Sequence, residues 1–200
     1  MNEIIGVILA GGKSSRFEGG DKIFAKIDGE TLIHRAIRKA SKQVDKLILS
    51  TNHHASNDFD FKIPIVPDMQ FNSVGPLGGI LSSLEWVVQN HRSVKNVVYF
   101  AADVPFFPDD IVDILINMKK LNIYKKLFCV SCEGMVQPLF SLWDVSLRDS
   151  LRDYLNNNNY KVETFFKERS CIIKELKKTN PPSFFNVNTY QDLEKLNSYI

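Results

Sequence analysis

The run Ile4-Ile5-Gly6-Val7-Ile8-Leu9 is almost wholly apolar and breaks directly onto Ala10-Gly11-Gly12. A strand without inside–outside alternation is covered on both faces, as in a parallel sheet flanked by helices. The pattern downstream keeps to that plan. Residues 31–41 place Leu32, Ile33, Ala36, Ile37 and Ala40 on one helical face, with the Thr31 hydroxyl set to cap the first turn. Strands are predicted at 46–50, 63–66 and 97–101, and helices at 76–89 and 108–121. Glu133-Gly134 reads as the turn of a hairpin between 127–132 and 137–142. A helix at 145–155, a strand at 170–176 and a helix at 190–196, capped by Asn188 or Thr189, complete the chain. The asparagine run at 156–159 reads as a surface turn. Strands alternating with helices through the first two-thirds predict an α/β fold. The expected architecture is one domain over 1–200, a Rossmann-like, mostly parallel sheet with helices on both faces and a small antiparallel excursion.

Composition excludes several function classes. The chain of 200 residues is 44% hydrophobic and 24% charged, with a net charge of +2. That balance argues for neither nucleic acid nor an acidic membrane surface. No apolar run is long enough to span a bilayer, and Met1-Asn2-Glu3 lacks a basic leader. A cytoplasmic protein with reduced thiols is expected. Cys129 and Cys132 form a CxxC without a second Cys/His pair at metal spacing. In a strand, residues three apart face opposite ways, so both are read as small buried or half-buried residues. The same geometry sets His53 and His54 apart, and His34 and His91 lie on or just after helices.

Chemistry in an open α/β sheet gathers beyond the carboxyl ends of the strands. Three polar or glycine-rich groups occupy such ends: residues 11–16 after the first strand, 68–79 after the third, and Asp103-Val104-Pro105 after the fourth. The first is not a Walker loop, because Val7 stands where the leading glycine of Gly12-Lys13-Ser14 belongs. Nor is it GxGxxG, since Lys13-Ser14-Ser15-Arg16 follows the glycine pair. What remains suits a polyphosphate. Glycines allow successive amides to turn toward one anion, and Lys13, Arg16 and Lys22 supply cations.

Leu9-Ala10-Gly11-Gly12-Lys13-Ser14-Ser15-Arg16, continuing to Asp21-Lys22, resembles the LAGGxSxR…K signature of nucleotidyltransferases acting on phosphorylated sugars and cofactors. Gly75-Pro76-Leu77-Gly78-Gly79, Asp103-Val104-Pro105-Phe106, Gln137-Pro138-Leu139-Phe140 and Phe185-Asn186-Val187-Asn188-Thr189 follow in order. Together they resemble the molybdenum cofactor guanylyltransferase family, over almost the whole chain.

The resemblance implies a nucleotide-diphospho-sugar transferase type of fold. The implied reaction is Mg2+-dependent transfer of GMP from GTP to the phosphate of a molybdopterin-type acceptor. A CTP-dependent enzyme acting on that cofactor or another phosphorylated small molecule is the alternative. It further implies that Leu9, Ala10, Gly11 and Gly12 meet the nucleotide through their backbone. Lys22 would meet the phosphates, with Arg16 beside it in catalysis. Asn52 and Asp68 would contact the nucleoside, with Gly78 in the base-reading loop. Asp103 would hold Mg2+, and Asn186 and Asn188 would serve the acceptor end. Phe17-Glu18 stands where the family usually has Met-Gly, which brings a carboxylate near the triphosphate. Transient protein partners in cofactor delivery also belong to the expectation.

Overall fold

The computed structural model describes residues 3–11, 22–52, 62–68, 71, 74–179 and 181–199. The central sheet comprises β1 (Ile5–Leu9), β4 (Lys46–Ser50), β5 (Ile65–Val66), β6 (Asn96–Ala101), β7 (Leu127–Cys132), β8 (Met135–Asp144) and β9 (Ile172–Leu176). A two-stranded hairpin, β2 (Lys26–Ile27) with β3 (Glu30–Thr31), lies apart from it. The large sheet runs β5-β4-β1-β6-β8-β7-β9. β1 pairs in parallel with β4 on one side and β6 on the other. Strand β8 is the antiparallel excursion, hydrogen-bonded to both β6 and β7. The mostly parallel α/β architecture expected from the sequence is therefore present.

Helices cover both faces, as the unbroken apolar strands require. On one face, α1 (Leu32–Ala40) and α3 (Ile111–Leu121) bury Ile33, Ala36, Leu115 and Met118 against Ile8, Val98, Phe100 and Phe128. On the other, α2 (Pro76–Asn90), α4 (Leu147–Asn156) and α5 (Val162–Glu168) cover Val7, Ile48, Val97 and Trp143. Trp143 stacks on Phe165 at 5.4 Å between ring centroids. Burying side chains of this size contributes about 1.5–3 kcal/mol each, and these two layers make up most of the core. The last helix, α6 (Tyr190–Asn197), packs Leu193 and Leu196 on Ile27, Leu32 and Val187 in a smaller cluster.

Local chemistry sets several boundaries. Thr31 caps α1, its hydroxyl accepting from the His34 amide at 3.2 Å. Thr189, not Asn188, caps α6, in a reciprocal box with Asp192. Helix α3 starts at Ile111 and not at Pro108, because residues 109–110 form a turn first. The hairpin turn is Glu133-Gly134, both with positive φ (53° and 75°). The ladder between β7 and β8 slips between Cys129 and Val130, and Pro138, Leu139 and Phe140 fall in that slip. Proline cannot donate to a ladder, which makes a bulge the place for it.

The CxxC separates as strand geometry demands. Cys129 lies in the α2/α4/α5 layer and Cys132 in the α1/α3 layer, both buried. Burial pushes the Cys129 thiol up to about 12. No described helix is long and apolar enough to cross a membrane.

Candidate active site

The carboxyl ends of β1, β4 and β6 form the platform. The main chain leaving β1 is held from both sides. Leu9 O accepts from Ala102 N at 3.1 Å, Ala10 N donates to Ser50 O at 2.9 Å, and Ala10 O accepts from the Thr51 hydroxyl at 3.1 Å. Ala10 is thus engaged at both its amide and its carbonyl. Each carbonyl keeps a second lone pair for a further donor. Gly11, the next residue, is exposed, and a Cβ there would meet nothing within 4 Å among the described residues. Gly12 and Arg16, with Lys13 and Glu18, lie outside the described residues, as do His53 and His54.

Over the β1–β4 side stands the first turn of α2. Gly75 occupies the N-cap with φ 82°, a left-handed conformation that glycine adopts without steric cost. Pro76 opens the helix, and no described side chain caps it. The first-turn amides and the positive end of the helix dipole suit an anionic or carbonyl-rich ligand. Two glycines let this turn sit low. A Cβ on Gly79 would stand 2.8 Å from Ser50 Oγ. One on Gly78 would stand 2.1 Å from Asp68 Oδ2 and 2.7 Å from the Phe71 carbonyl.

Asp68 is fixed by three bonds. Its Oδ1 accepts from Phe71 N at 3.1 Å and from Ser82 Oγ at 3.3 Å, and its amide donates to Asn52 Oδ1 at 2.6 Å. Burial is the largest influence on its carboxyl and holds it above the usual carboxylate range, against those two donors. Asn52 and Asp68, sixteen positions apart, therefore form one unit that joins the ends of β4 and β5. Ser82 and Phe71 were not marked by the sequence. A serine on the inner face of a helix and an amide in a loop carry no motif.

On the β6 side, Asp103 follows the strand by two residues. It caps no helix, since α3 begins at Ile111. Its Oδ2 accepts from Lys22 Nζ at 2.5 Å, with side-chain exposures of 16% and 18%. Lys22 opens a short 3-10 helix, Lys22–Phe24, and its ammonium also donates to Asn188 Oδ1 at 3.2 Å. Asn188 comes from the far end of the chain and is set in place by its neighbour, since Val187 N donates to Asp103 O at 3.0 Å. The resemblance assigns Asn188 to the acceptor end, whereas here its side chain meets the lysine assigned to phosphate. Asn186 is exposed. Lys178 pairs with Glu133 at 2.8 Å.

Two clusters thus face each other across the end of β1. Asn52, Asp68 and the first turn of α2 lie toward β4 and β5. Lys22, Asp103 and Asn188 lie toward β6. Strand β1 is the switch point, with its successor β4 on one side and β6 on the other, and ligands of open α/β sheets bind at such a crevice. The residues that line it are suited to an anionic nucleotide. No described group of three or more His, Cys, Asp or Glu could hold a metal unaided.

Comparison with known proteins agrees. The family model of the MobA-like NTP transferase domain matches residues 6–172. A molybdenum cofactor guanylyltransferase of Rhodopseudomonas palustris (strain HaA2) is 32% identical over 188 residues, covering 94% of this chain and 87% of that protein. A probable molybdenum cofactor guanylyltransferase of Thermococcus kodakarensis is 30% identical over 201 residues, covering 96% and 94%. Among solved structures, molybdopterin-guanine dinucleotide biosynthesis protein A of Archaeoglobus fulgidus superposes with a TM-score of 0.74 at 19% identity, covering 97% of each chain. The family model and these relatives make the chain a nucleotidyltransferase. The chain belongs to the MobA-like NTP transferase family.

Proposed function

We propose that this protein transfers GMP from GTP to the phosphate of a molybdopterin-type acceptor, with Mg2+ and with release of pyrophosphate. The observation that carries the reading is the meeting of Lys22, Asp103 and Asn188 beside the main chain that leaves β1. Relatives named molybdenum cofactor guanylyltransferase, matched along almost the whole chain, support guanine and this acceptor over the CTP-dependent alternative.

The reaction asks for alignment and charge neutralisation. An acceptor phosphate oxygen bonds to the α-phosphorus of GTP while the bond from that phosphorus to the β-phosphate oxygen breaks. The electron pair leaves with pyrophosphate. The nucleophile is already ionised, so no general base is needed. Opposing anions must be screened and held in line, which fixed cations and amides do at little reorganisation cost. Lys22 serves the phosphates as a point charge on a flexible stem. Arg16, Leu9, Ala10, Gly11 and Gly12 are assigned to the same nucleotide. Asn52 and Asp68 serve the nucleoside, Gly78 gives the base close approach, and Asn186 faces the acceptor.

Asp103 fits Mg2+. That ion takes one or two carboxylates and completes its shell with phosphate oxygens and water, so a single partly exposed strand-end aspartate is an adequate protein share. Bound there, Mg2+ would neutralise phosphate charge. Protein partners in cofactor delivery belong to the same reading.

The test is calorimetric titration of GTP, CTP, ATP and UTP with Mg2+. GTP is expected to bind at least tenfold more tightly than the others, because a site that hydrogen-bonds its base rejects one that leaves those groups unpaired. Equal or tighter binding of CTP overturns the guanylyl assignment and favours a cytidylyl donor.

A further inference from the structure

The groups assigned to the phosphates and to the cation are bonded to each other. Lys22 Nζ lies 2.5 Å from Asp103 Oδ2 and 3.2 Å from Asn188 Oδ1. Both ends of the ion pair are more than four-fifths shielded from solvent, so the charges are screened less than at an open surface. The carboxylate is therefore already neutralised. A divalent cation arriving at it would stand within a few ångströms of the ammonium, against like charge. A triphosphate arriving near Lys22 faces the converse obstacle, since the ammonium is engaged and a carboxylate lies behind it.

Together the two ligands remove both obstacles. The triphosphate gives the ammonium new anionic partners, and the cation takes over Asp103. Lysine suits such an exchange, because its ammonium is a compact charge with rotatable donors on a four-carbon stem. Asn188 suits it as well. Its amide oxygen holds the ammonium without charge, so it keeps Lys22 nearby and does not compete with phosphate. Val187 N on Asp103 O ties that asparagine to the carboxylate it shares the lysine with.

We propose that Lys22 is the resident counter-ion of Asp103 and is exchanged for the divalent cation when a nucleoside triphosphate binds, so that cation and nucleotide binding are positively coupled on the protein. The proposal rests on the assignment of Asp103 to the cation and Lys22 to phosphate. Coupling of this kind is reciprocal and ordinarily amounts to about 5- to 150-fold in affinity.

Two titrations of the purified full chain test it, neither of them of activity. The first follows Mn2+ by electron paramagnetic resonance without nucleotide. Lys22→Met is expected to bind Mn2+ about 5- to 150-fold more tightly than wild type, whereas Lys22→Arg, which keeps the pair, stays close to wild type. Asp103→Asn loses the site. The second follows GTP by calorimetry in excess EDTA. Here Asp103→Asn is expected to bind GTP more tightly than wild type, because its ammonium is released to the phosphates. Circular dichroism verifies that each variant is folded. If Lys22→Met does not fold, the GTP titration of Asp103→Asn decides. Unchanged Mn2+ affinity in Lys22→Met, or no gain of GTP affinity in Asp103→Asn, overturns the exchange while Asp103 remains the cation site. Wild-type Mn2+ affinity in Asp103→Asn instead overturns the assignment on which the exchange rests.

Discussion

Gly78 is the position where a single methyl group tests the β4–β5 half of the crevice. It lies in the first turn of α2, where replacing glycine by alanine ordinarily stabilises a helix by up to about 1 kcal/mol. Here the added Cβ would stand 2.1 Å from Asp68 Oδ2 and 2.7 Å from the carbonyl of Phe71, where real Cβ atoms essentially never come within 3.0 Å. The carboxylate must retreat by about 0.9 Å, from 2.1 to 3.0 Å. That movement strains its bonds from Phe71 N and Ser82 Oγ, each worth about 1.5–3 kcal/mol to a charged acceptor. Overpacking of this kind costs about 1–3 kcal/mol. The net expectation for Gly78→Ala is a loss of about 2 kcal/mol, or about 4–8 °C in Tm for a chain of this size.

The same shift moves Asp68, which is proposed to contact the nucleoside, so GTP affinity is expected to fall at least tenfold. Thermal unfolding and calorimetric GTP titration measure the two effects. Gly134→Ala is the comparison. Its φ of 75° strains alanine, yet nothing described stands within 4 Å, and the turn belongs to the β7–β8 hairpin. It should lose stability and keep GTP affinity. A Tm for Gly78→Ala at or above wild type would refute the steric reasoning. A lowered Tm with unchanged GTP affinity would remove Asp68 from the nucleotide.

Asp68→Asn reads the same residue through pH. Burial raises the native carboxyl above its unfolded value, so the folded state holds this proton more tightly and loses stability relative to the unfolded chain as pH rises above the ordinary carboxylate range. Asparagine keeps an oxygen for Phe71 N and Ser82 Oγ and cannot ionise, so its stability relative to wild type should rise between about pH 4 and pH 7, measured by urea unfolding. A flat difference refutes the burial argument. For the thiols, burial raises Cys129 to about 12 and raises Cys171 as well, so neither should react with an aromatic disulfide reagent at pH 8 in the native protein. All three cysteines should react after unfolding, and rapid native labelling of Cys129 would refute its burial.

Strong periodicity was legible and weak periodicity was not. The apolar strands and the helices α1, α2 and α6 begin within a residue or two of their predicted starts, because each shows an unbroken apolar run or a clear helical face. The hairpin β2–β3 escaped, although Asp28-Gly29 is a turn signal with φ values of 51° and 76°, because strands of two residues show no alternation. Helix α5 escaped for a related reason. Val162, Phe165 and Phe166 have helical spacing and are buried, but seven residues just after the asparagine run make less than two full turns.

In the candidate site, the residues proposed for it carry a motif, whereas their supports do not. Ser82, Phe71 and Thr51 act through distances of one hydrogen bond that only the folded chain creates. The pairing of Lys22 with Asn188 spans 166 positions, and no local pattern encodes it.

The C-terminal segment explains how so distant a residue can be placed so closely. Phe184 has φ 64°, a conformation that costs a bulky residue about 1–3 kcal/mol. It persists because the site around it is overdetermined. The ring packs edge-on to Phe140 at 4.9 Å within the α1/α3 layer, and the amide donates to Phe106 O at 2.8 Å. Three residues on, Val187 is fully buried against Ile27, Leu32, Leu193 and Leu196, and its amide reaches Asp103 O. Asp192 then accepts from the amides of Asn188 and Thr189, each at 2.9 Å. Asn188 is thus held on one side by the strand-end loop that carries Asp103 and on the other by the start of α6. Ile27 and Leu32 follow Lys22 closely in the chain, so the cluster under α6 also anchors the segment that brings the lysine in. The family model ends at residue 172, yet the chain beyond it fixes both partners of the Lys22–Asn188 bond. That physical dependence accounts for an Asn-x-Asn-Thr signature so far from the glycine loop.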